Sequence, residues 1–122
     1  MRYLLLVHHD EAGFMKLSEA TRQRMLEESI ELTHQLHAAR QYVNASPLQP
    51  AAGAAIVRVR DGNSTVIDGP FIETKEQLAG YFLIEARDLN EAIGIAARVP
   101  GARIGAVEVR PLREVTGLPE TR

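Results

Sequence analysis

The 122 residues are 45% hydrophobic, carry a formal net charge of −2 and include no cysteine. This length suits one domain with its own core, and the missing cysteines exclude thiol catalysis, disulfides and thiolate metal sites. There is no basic excess for nucleic acid, no apolar run of the roughly 18 residues that span a membrane, and no spacing typical of a metal or phosphate site. We therefore expect a cytoplasmic protein without a cofactor or a nucleic-acid or membrane partner.

The first third of the chain predicts one strand and one long helix. Residues 2–8 form an apolar run too short for a helix, which is typical of a buried central strand. Residues 10–17 are predicted to be a loop, with Phe14 tucked against apolar neighbours. Ser18 can cap a helix that ends near Arg40, because apolar residues recur at spacings of three and four between them.

The middle of the chain predicts a β-hairpin. A connection with a short extended piece near residues 42–43 precedes it. Two segments rich in β-branched residues, 54–60 and 63–67, then flank Asp61-Gly62, a dipeptide typical of tight hairpin turns.

The last third predicts a strand, a helix and a final strand. Residues 79–86 read as another central strand, and Asp88 can cap a helix that Pro100-Gly101 ends. Residues 104–110 alternate as a last strand. Residues 1–112 would thus form the domain and residues 113–122 a polar C-terminal tail.

This order of elements predicts an α+β fold, the ferredoxin-like plait, which is βαββαβ with an added hairpin strand. Such a sheet carries helices on one face only, yet residues 4–7 and 82–84 are apolar on both faces. A second copy of the same sheet is the simplest cover, so we predict a homodimer formed by sheet-to-sheet packing.

The run from Asp68-Gly69-Pro70-Phe71 to Ala86 closely resembles the DGPF-motif proteins, a branch of the YCII-related domain family. The similarity extends from residue 2 to about residue 112. It implies a ferredoxin-like fold and a dimeric α/β-barrel assembly. It also implies a functional link to sigma factors, because many DGPF proteins are encoded beside or fused to extracytoplasmic-function sigma factors.

A His–Asp pair proposed for the wider family does not transfer to this sequence. The family histidine lies on the first helix and the aspartate follows the second helix. Here the second helix ends in Arg98-Val99-Pro100-Gly101, without an aspartate. His34 and His37 lie on the first helix but match ordinary charged surface positions of the DGPF relatives.

Asp68 is the first candidate catalytic residue, because a carboxylate at a hairpin end could act as a general acid or base beside the uncovered sheet face. The structural alternative is that Asp68 accepts backbone N–H groups and shapes the turn. Glu73 and Lys75 are candidate ligand-binding residues, since a carboxylate–ammonium cluster beside a cleft can shift pKa values. The alternative for both is a solvated polar turn.

His8 and His9 end the first strand and are candidate acid–base groups near neutral pH. Alternation places them on opposite faces, so they cannot jointly bind one metal ion; the alternative is a histidine hydrogen-bonded to a neighbour. Arg58 is a candidate ligand for a carboxylate or phosphate, or a residue that blocks edge pairing. Tyr81 shares a face with Leu83 and is a candidate pocket wall with an available hydroxyl.

Two functions fit these residues. The favoured one is a non-catalytic domain that binds a small molecule or regulates, since no catalytic constellation emerges. The alternative is a cofactor-free enzyme with a pocket at the helix-free sheet face, in which Asp68 and His8 or His9 act as acid–base groups. A carboxylate and a histidine converging on one buried cavity would favour the enzyme.

Overall fold

The computed structural model of the protein describes residues 1–120, which form six strands, three α-helices and two single turns of 3-10 helix. In chain order, the elements are β1 Arg2–His9, α1 Glu11–Lys16, α2 Glu19–Ala38, β2 Tyr42–Pro47, β3 Ala55–Arg60, β4 Asn63–Asp68, β5 Gln77–Glu85, α3 Leu89–Ala96 and β6 Ala106–Pro111. The 3-10 turns cover Ala51–Gly53 and Pro100–Arg103. The predicted tail begins beyond β6, and its last two residues, 121 and 122, lie outside the described part.

Four strands form one sheet in the order β2-β5-β1-β6, with every neighbouring pair antiparallel. The two apolar runs of the sequence, β1 and β5, occupy its centre. The hairpin of β3 and β4 forms a separate two-stranded sheet, which comes between β2 and β5 in the sequence. The α+β ferredoxin-like plait with an added hairpin is therefore confirmed.

The core lies between the sheet and the helices α2 and α3. Alternate residues of β1 and β5 point towards the helices and meet the buried sides of α2 and α3 there. The buried hydrophobic side chains of this core are Tyr3, Leu5, Val7, Leu32, Leu36, Phe82, Ile84, Ala86, Ala92, Ile95, Ala96 and Val99. No polar or charged residue is buried in the described part of the chain, so apolar burial and backbone pairing stabilise this layer.

The loop predicted for residues 10–17 is wrong, because α1 occupies most of it. The Asp10 carboxylate accepts a hydrogen bond from the Ala12 N–H, and the Phe14 N–H donates to the Asp10 carbonyl. This capping starts a helix that a sequence containing Gly13 does not favour by propensity. The extended piece near residues 42–43 also proves longer, since β2 continues to Pro47 at the sheet edge, where a proline is tolerated.

The hairpin turn has positive φ at both central residues, 51° at Asp61 and 77° at Gly62, as a type I′ turn requires. Val57 and Val66 pair across the two strands, and both side chains are exposed. An isolated two-stranded hairpin is marginally stable in water. Burial of its exposed valines against another surface would therefore stabilise the hairpin.

The sheet face away from the helices carries Leu4, Leu6 and Leu83, all only partly buried. Where β1 begins and β5 ends on this face, the Arg2 Nε donates to Glu85 Oε1 at 2.8 Å, and this hydrogen bond lowers the pKa of the Glu85 carboxyl. We refer to this surface as the open face. None of the helices among residues 1–120 has the length and apolar character needed to span a bilayer.

Candidate functional site

A cavity of about 320 Å³ lies between the first half of α2 and the helix-facing side of the sheet. The second half of α2 packs against the sheet through the buried side chains of Leu32 and Leu36. In the first half, the side chains of Leu26 and Ile30 are about half exposed. Small residues of the sheet and its connections form part of the opposite wall of this cavity. The small residues are Ala45, Ala79, Gly80 and Gly101.

His9 provides the titratable imidazole of this cavity. It stacks on Phe14, with ring centroids 4.5 Å apart and an interplanar angle of 19°, and both rings line the cavity. Its imidazole forms no hydrogen bond with any residue that the structure describes. Burial lowers the pKa of His9 from its ordinary value near 6.5, against the opposing charges of Glu11, Asp10 and Glu76. The ring is consequently neutral at pH 7, with one nitrogen able to accept and one able to donate.

Several other polar side chains on the cavity wall are engaged within the protein, whereas the Tyr42 hydroxyl, also on this wall, forms no hydrogen bond within the described part of the chain. The Ser29 hydroxyl donates to the Met25 carbonyl at 2.9 Å, and the Thr33 hydroxyl donates to the Ile30 carbonyl at 2.6 Å. The Arg22 guanidinium donates to two backbone carbonyls near the end of α1. His9 therefore differs from Ser29, Thr33 and Arg22 in keeping its hydrogen-bonding capacity free for a ligand.

One further residue of this wall, Arg22, could be identified from the sequence. Arg22 precedes Met25, Ser29 and Thr33 at spacings of three and four, so it lies on the sheet-facing side of α2 although it is charged. A cation in the apolar stripe of an amphipathic helix is unusual. That position could have identified Arg22 as part of a site.

The two adjacent histidines have different surroundings. His9 faces the helix-side cavity, while the His8 Nε2 lies 3.4 Å from Glu108 Oε1 on the open face. The pairing of β1 with β5 shifts in register between Val7 and His8, immediately before these two histidines. Tyr81 borders the cavity, but its hydroxyl donates to the Asn44 side-chain oxygen and is not free.

The other predicted site residues lie away from the cavity. Asp68 ends β4, and Glu73 and Lys75 follow in the exposed connection to β5. Within residues 1–120 these three side chains form no ion pair, and the Asp68 carboxylate makes no turn-capping hydrogen bond. Arg58 lies over the ring of Phe71, with 5.1 Å from its guanidinium carbon to the ring centroid. The structure thus brings none of these four residues beside His9.

The expected pocket at the helix-free face is not where the cavity lies. The cavity is on the opposite side of the sheet, where Leu26 and Ile30 in the first half of α2 remain about half exposed. Sequence periodicity identified which residues of α2 face the sheet, but it does not report how closely the two surfaces approach. In the part of the chain described, no group of three or more His, Asp or Glu side chains could hold a metal ion.

Comparison with known proteins agrees with this architecture. The chain is 36% identical over 120 residues to R00369, an uncharacterised protein of Rhizobium meliloti (strain 1021), with 92% of each chain covered. It is similar in structure to the 5-chloro-2-hydroxyhydroquinone dehydrochlorinase TftG of Burkholderia phenoliruptrix AC1100, solved in complex with 2,5-dihydroxybenzoquinone. That likeness has a TM-score of 0.57 at 14% identity, covers 94% of this chain and 96% of TftG, and shows a shared fold. The family model of the YCII-related domain matches residues 1–116, and the chain belongs to the YCII-related domain family.

Proposed function

We propose that this protein is a small-molecule-binding domain whose ligand occupies the cavity beneath α2 and hydrogen-bonds to His9. The observation that carries the proposal is the unpartnered imidazole of His9 in a mainly apolar cavity. Ligand sites combine apolar walls with a few polar groups that orient the ligand, and about 320 Å³ is at the small end of their range. The ligand is therefore an uncharged molecule of about one ring with a hydroxyl or carbonyl group.

A regulatory use of this binding follows from the DGPF-type run at residues 68–86. If the protein belongs to that branch, ligand occupancy would be reported to a partner in a sigma-factor pathway. The exposed positions of Asp68, Glu73, Lys75 and Arg58 suit contacts with a partner or a second ligand more than contacts in the cavity.

The alternative function is a cofactor-free enzyme of the acid–base lyase, isomerase or monooxygenase type. Two observations favour keeping it: a neutral imidazole suits a general base near pH 7, and the structural neighbour TftG is an enzyme. No carboxylate converges with His9 on a ligand position, which is why binding is preferred. In this alternative, His8 and Asp68 could take part only in an assembly that brings their surfaces to a ligand.

Ligand binding is tested with phenol and toluene as probes, followed by NMR chemical shifts. We expect phenol to bind about fivefold more tightly than toluene, because a net hydrogen bond contributes about 1 kcal/mol. His9→Phe should abolish this preference. Ile30→Trp, at the cavity mouth, should block both probes, while Ile93→Trp should not, since Ile93 is equally exposed (49% against 48%) but lies on α3.

Binding that persists in Ile30→Trp, or shifts confined to the hairpin, would contradict the proposed site. The same spectra separate the two functions. Conversion of added phenols or substituted hydroquinones into new signals, lost in His9→Gln, would favour the enzyme over the binding domain.

We also propose that the protein is a homodimer that covers the open face. Leu4, Leu6 and Leu83 give this face an apolar centre. Stable interfaces bury roughly 800 Å² on each partner, which a four-stranded sheet face can supply.

The dimer is tested by light scattering coupled to size exclusion at micromolar concentration. Wild type should run at twice the 13.5 kDa monomer mass. Leu6→Arg should shift the protein to monomer, because two buried, unpaired arginines would meet across the interface. Leu89→Arg, which lies on α3 away from the open face, should remain dimeric; a monomeric wild type would refute the assembly.

A further inference from the structure

The α1 helix forms one wall of the cavity although none of its residues is buried. It contributes Phe14, whose ring covers His9. Because α1 has so little buried apolar surface, packing alone gives it little stability against swinging away. Its position depends on the hydrogen bonds that attach its two ends.

The beginning of α1 is attached to the sheet and to the β2–β3 connection. The Glu11 N–H donates to Gln77 Oε1 at 2.8 Å, and Glu11 Oε1 accepts from the Ala51 N–H at 2.8 Å. These bonds hold the first residue of α1, next to His9. They do not attach the end of the helix, where the chain continues into α2.

The end of α1 is held by Arg22 of α2. The Arg22 Nη1 donates to the Met15 carbonyl at 3.1 Å and to the Leu17 carbonyl at 2.6 Å. Carbonyls in the last turn of a helix lack intrahelical partners, and a cation there is favoured by the helix dipole. One charged side chain therefore fixes the segment that carries Phe14.

We propose that Arg22 is a positioning residue that holds α1 closed as a lid over the cavity and keeps Phe14 stacked on His9. Release of the Arg22 contacts frees the end of α1, moves Phe14 off the imidazole and opens the cavity on the side of α1. The lid becomes a ligand gate only if the proposed binding site is correct. The closed position itself depends solely on contacts within the protein.

The inference is tested without any ligand by amide hydrogen exchange. The Phe14 and Leu17 amides are hydrogen-bonded within α1, to the carbonyls of Asp10 and Phe14. Arg22→Ala should accelerate their exchange at least tenfold relative to wild type, with no comparable change in the β1 amides. Arg24→Ala is the matched control, since Arg24 bonds Thr21 within α2 and does not reach α1.

The His9 titration, followed by NMR, gives a second readout. Phe14→Ala should raise the His9 pKa to its ordinary value or above, because the burial that lowers it is relieved while Asp10, Glu11 and Glu76 remain. Arg22→Ala should do the same. Because removal of a nearby positive charge also raises a histidine pKa, a raised His9 pKa supports the lid only where the Phe14 and Leu17 amides also exchange faster, which the loss of a charge alone does not cause.

Unchanged exchange at Phe14 and Leu17 in Arg22→Ala would overturn the lid, whatever the pKa of His9. Arg22→Met keeps the apolar stem of the side chain without its donors and reports on the contact if the alanine variant fails to fold. Faster exchange in a protein that binds neither phenol nor toluene would retain the lid and reject the proposed function. Binding of phenol or toluene without faster amide exchange in Arg22→Ala would reject the lid and retain the proposed function.

Discussion

Gly105→Ala is expected to lower the free energy of unfolding by about 3 kcal/mol, in the upper part of the range for overpacked sites. A Cβ at this position would lie 2.0 Å from the His8 carbonyl oxygen and 3.0 Å from the His9 Cα. Both contacts are to backbone, so no side-chain rotation can relieve them. The strand carrying His9 would have to move, and urea denaturation should show the loss.

Gly94→Ala is the matched control for this substitution. A Cβ at Gly94 has no neighbour within 4 Å, and the residue lies inside α3. Alanine is the better helix former by about 1 kcal/mol, so this variant should be more stable than wild type. Equal stability of the two alanine variants would show that the close approach at Gly105 is not maintained in solution.

Leu36→Ala is expected to lower the free energy of unfolding by about 3 kcal/mol, measured in the same way. Leu36 is 1% exposed and lies in the half of α2 that is sealed onto the sheet. Truncation removes apolar contacts and leaves a void that the surrounding strands cannot fill.

Leu26→Ala makes the same truncation ten residues earlier on the same helix. Leu26 is 43% exposed at the cavity mouth, so its loss should cost less than about 1 kcal/mol. If both leucine variants lose the same stability, the two halves of α2 are packed alike and the cavity is closed in solution.

Prediction from the sequence succeeded where local patterns report directly on backbone geometry. The apolar run of residues 2–8, the Ser18 cap and Asp61-Gly62 each correspond to the observed β1, α2 and hairpin turn. It failed at α1, because a six-residue helix containing Gly13 has no periodic apolar pattern. There the side chain of Asp10 and Arg22 of the next helix supply the stability that propensity does not.

The candidate site was predictable only residue by residue. The sequence identifies His9 as a titratable strand-end residue that faces away from His8, but it predicts a loop for the segment that carries its stacking partner, Phe14. Which face of the sheet holds the cavity depends on how far α2 stands from β2 and β5. That distance follows from the packing of Leu32 and Leu36 against small residues distant in sequence, and periodicity does not encode it.

By itself the sequence determined the order of elements, the two central strands and the ferredoxin-like plait, because hydrophobic periodicity and turn chemistry act over a few neighbouring residues. Only the tertiary structure decided that α1 exists, that the cavity lies beneath α2, and that His9 lies in it while Asp68, Glu73 and Lys75 do not. Those outcomes depend on specific contacts that propensity and periodicity do not encode: Arg22 of the next helix with the end of α1, and, between residues far apart in the chain, Gln77 with Glu11 and the His8 carbonyl against Gly105.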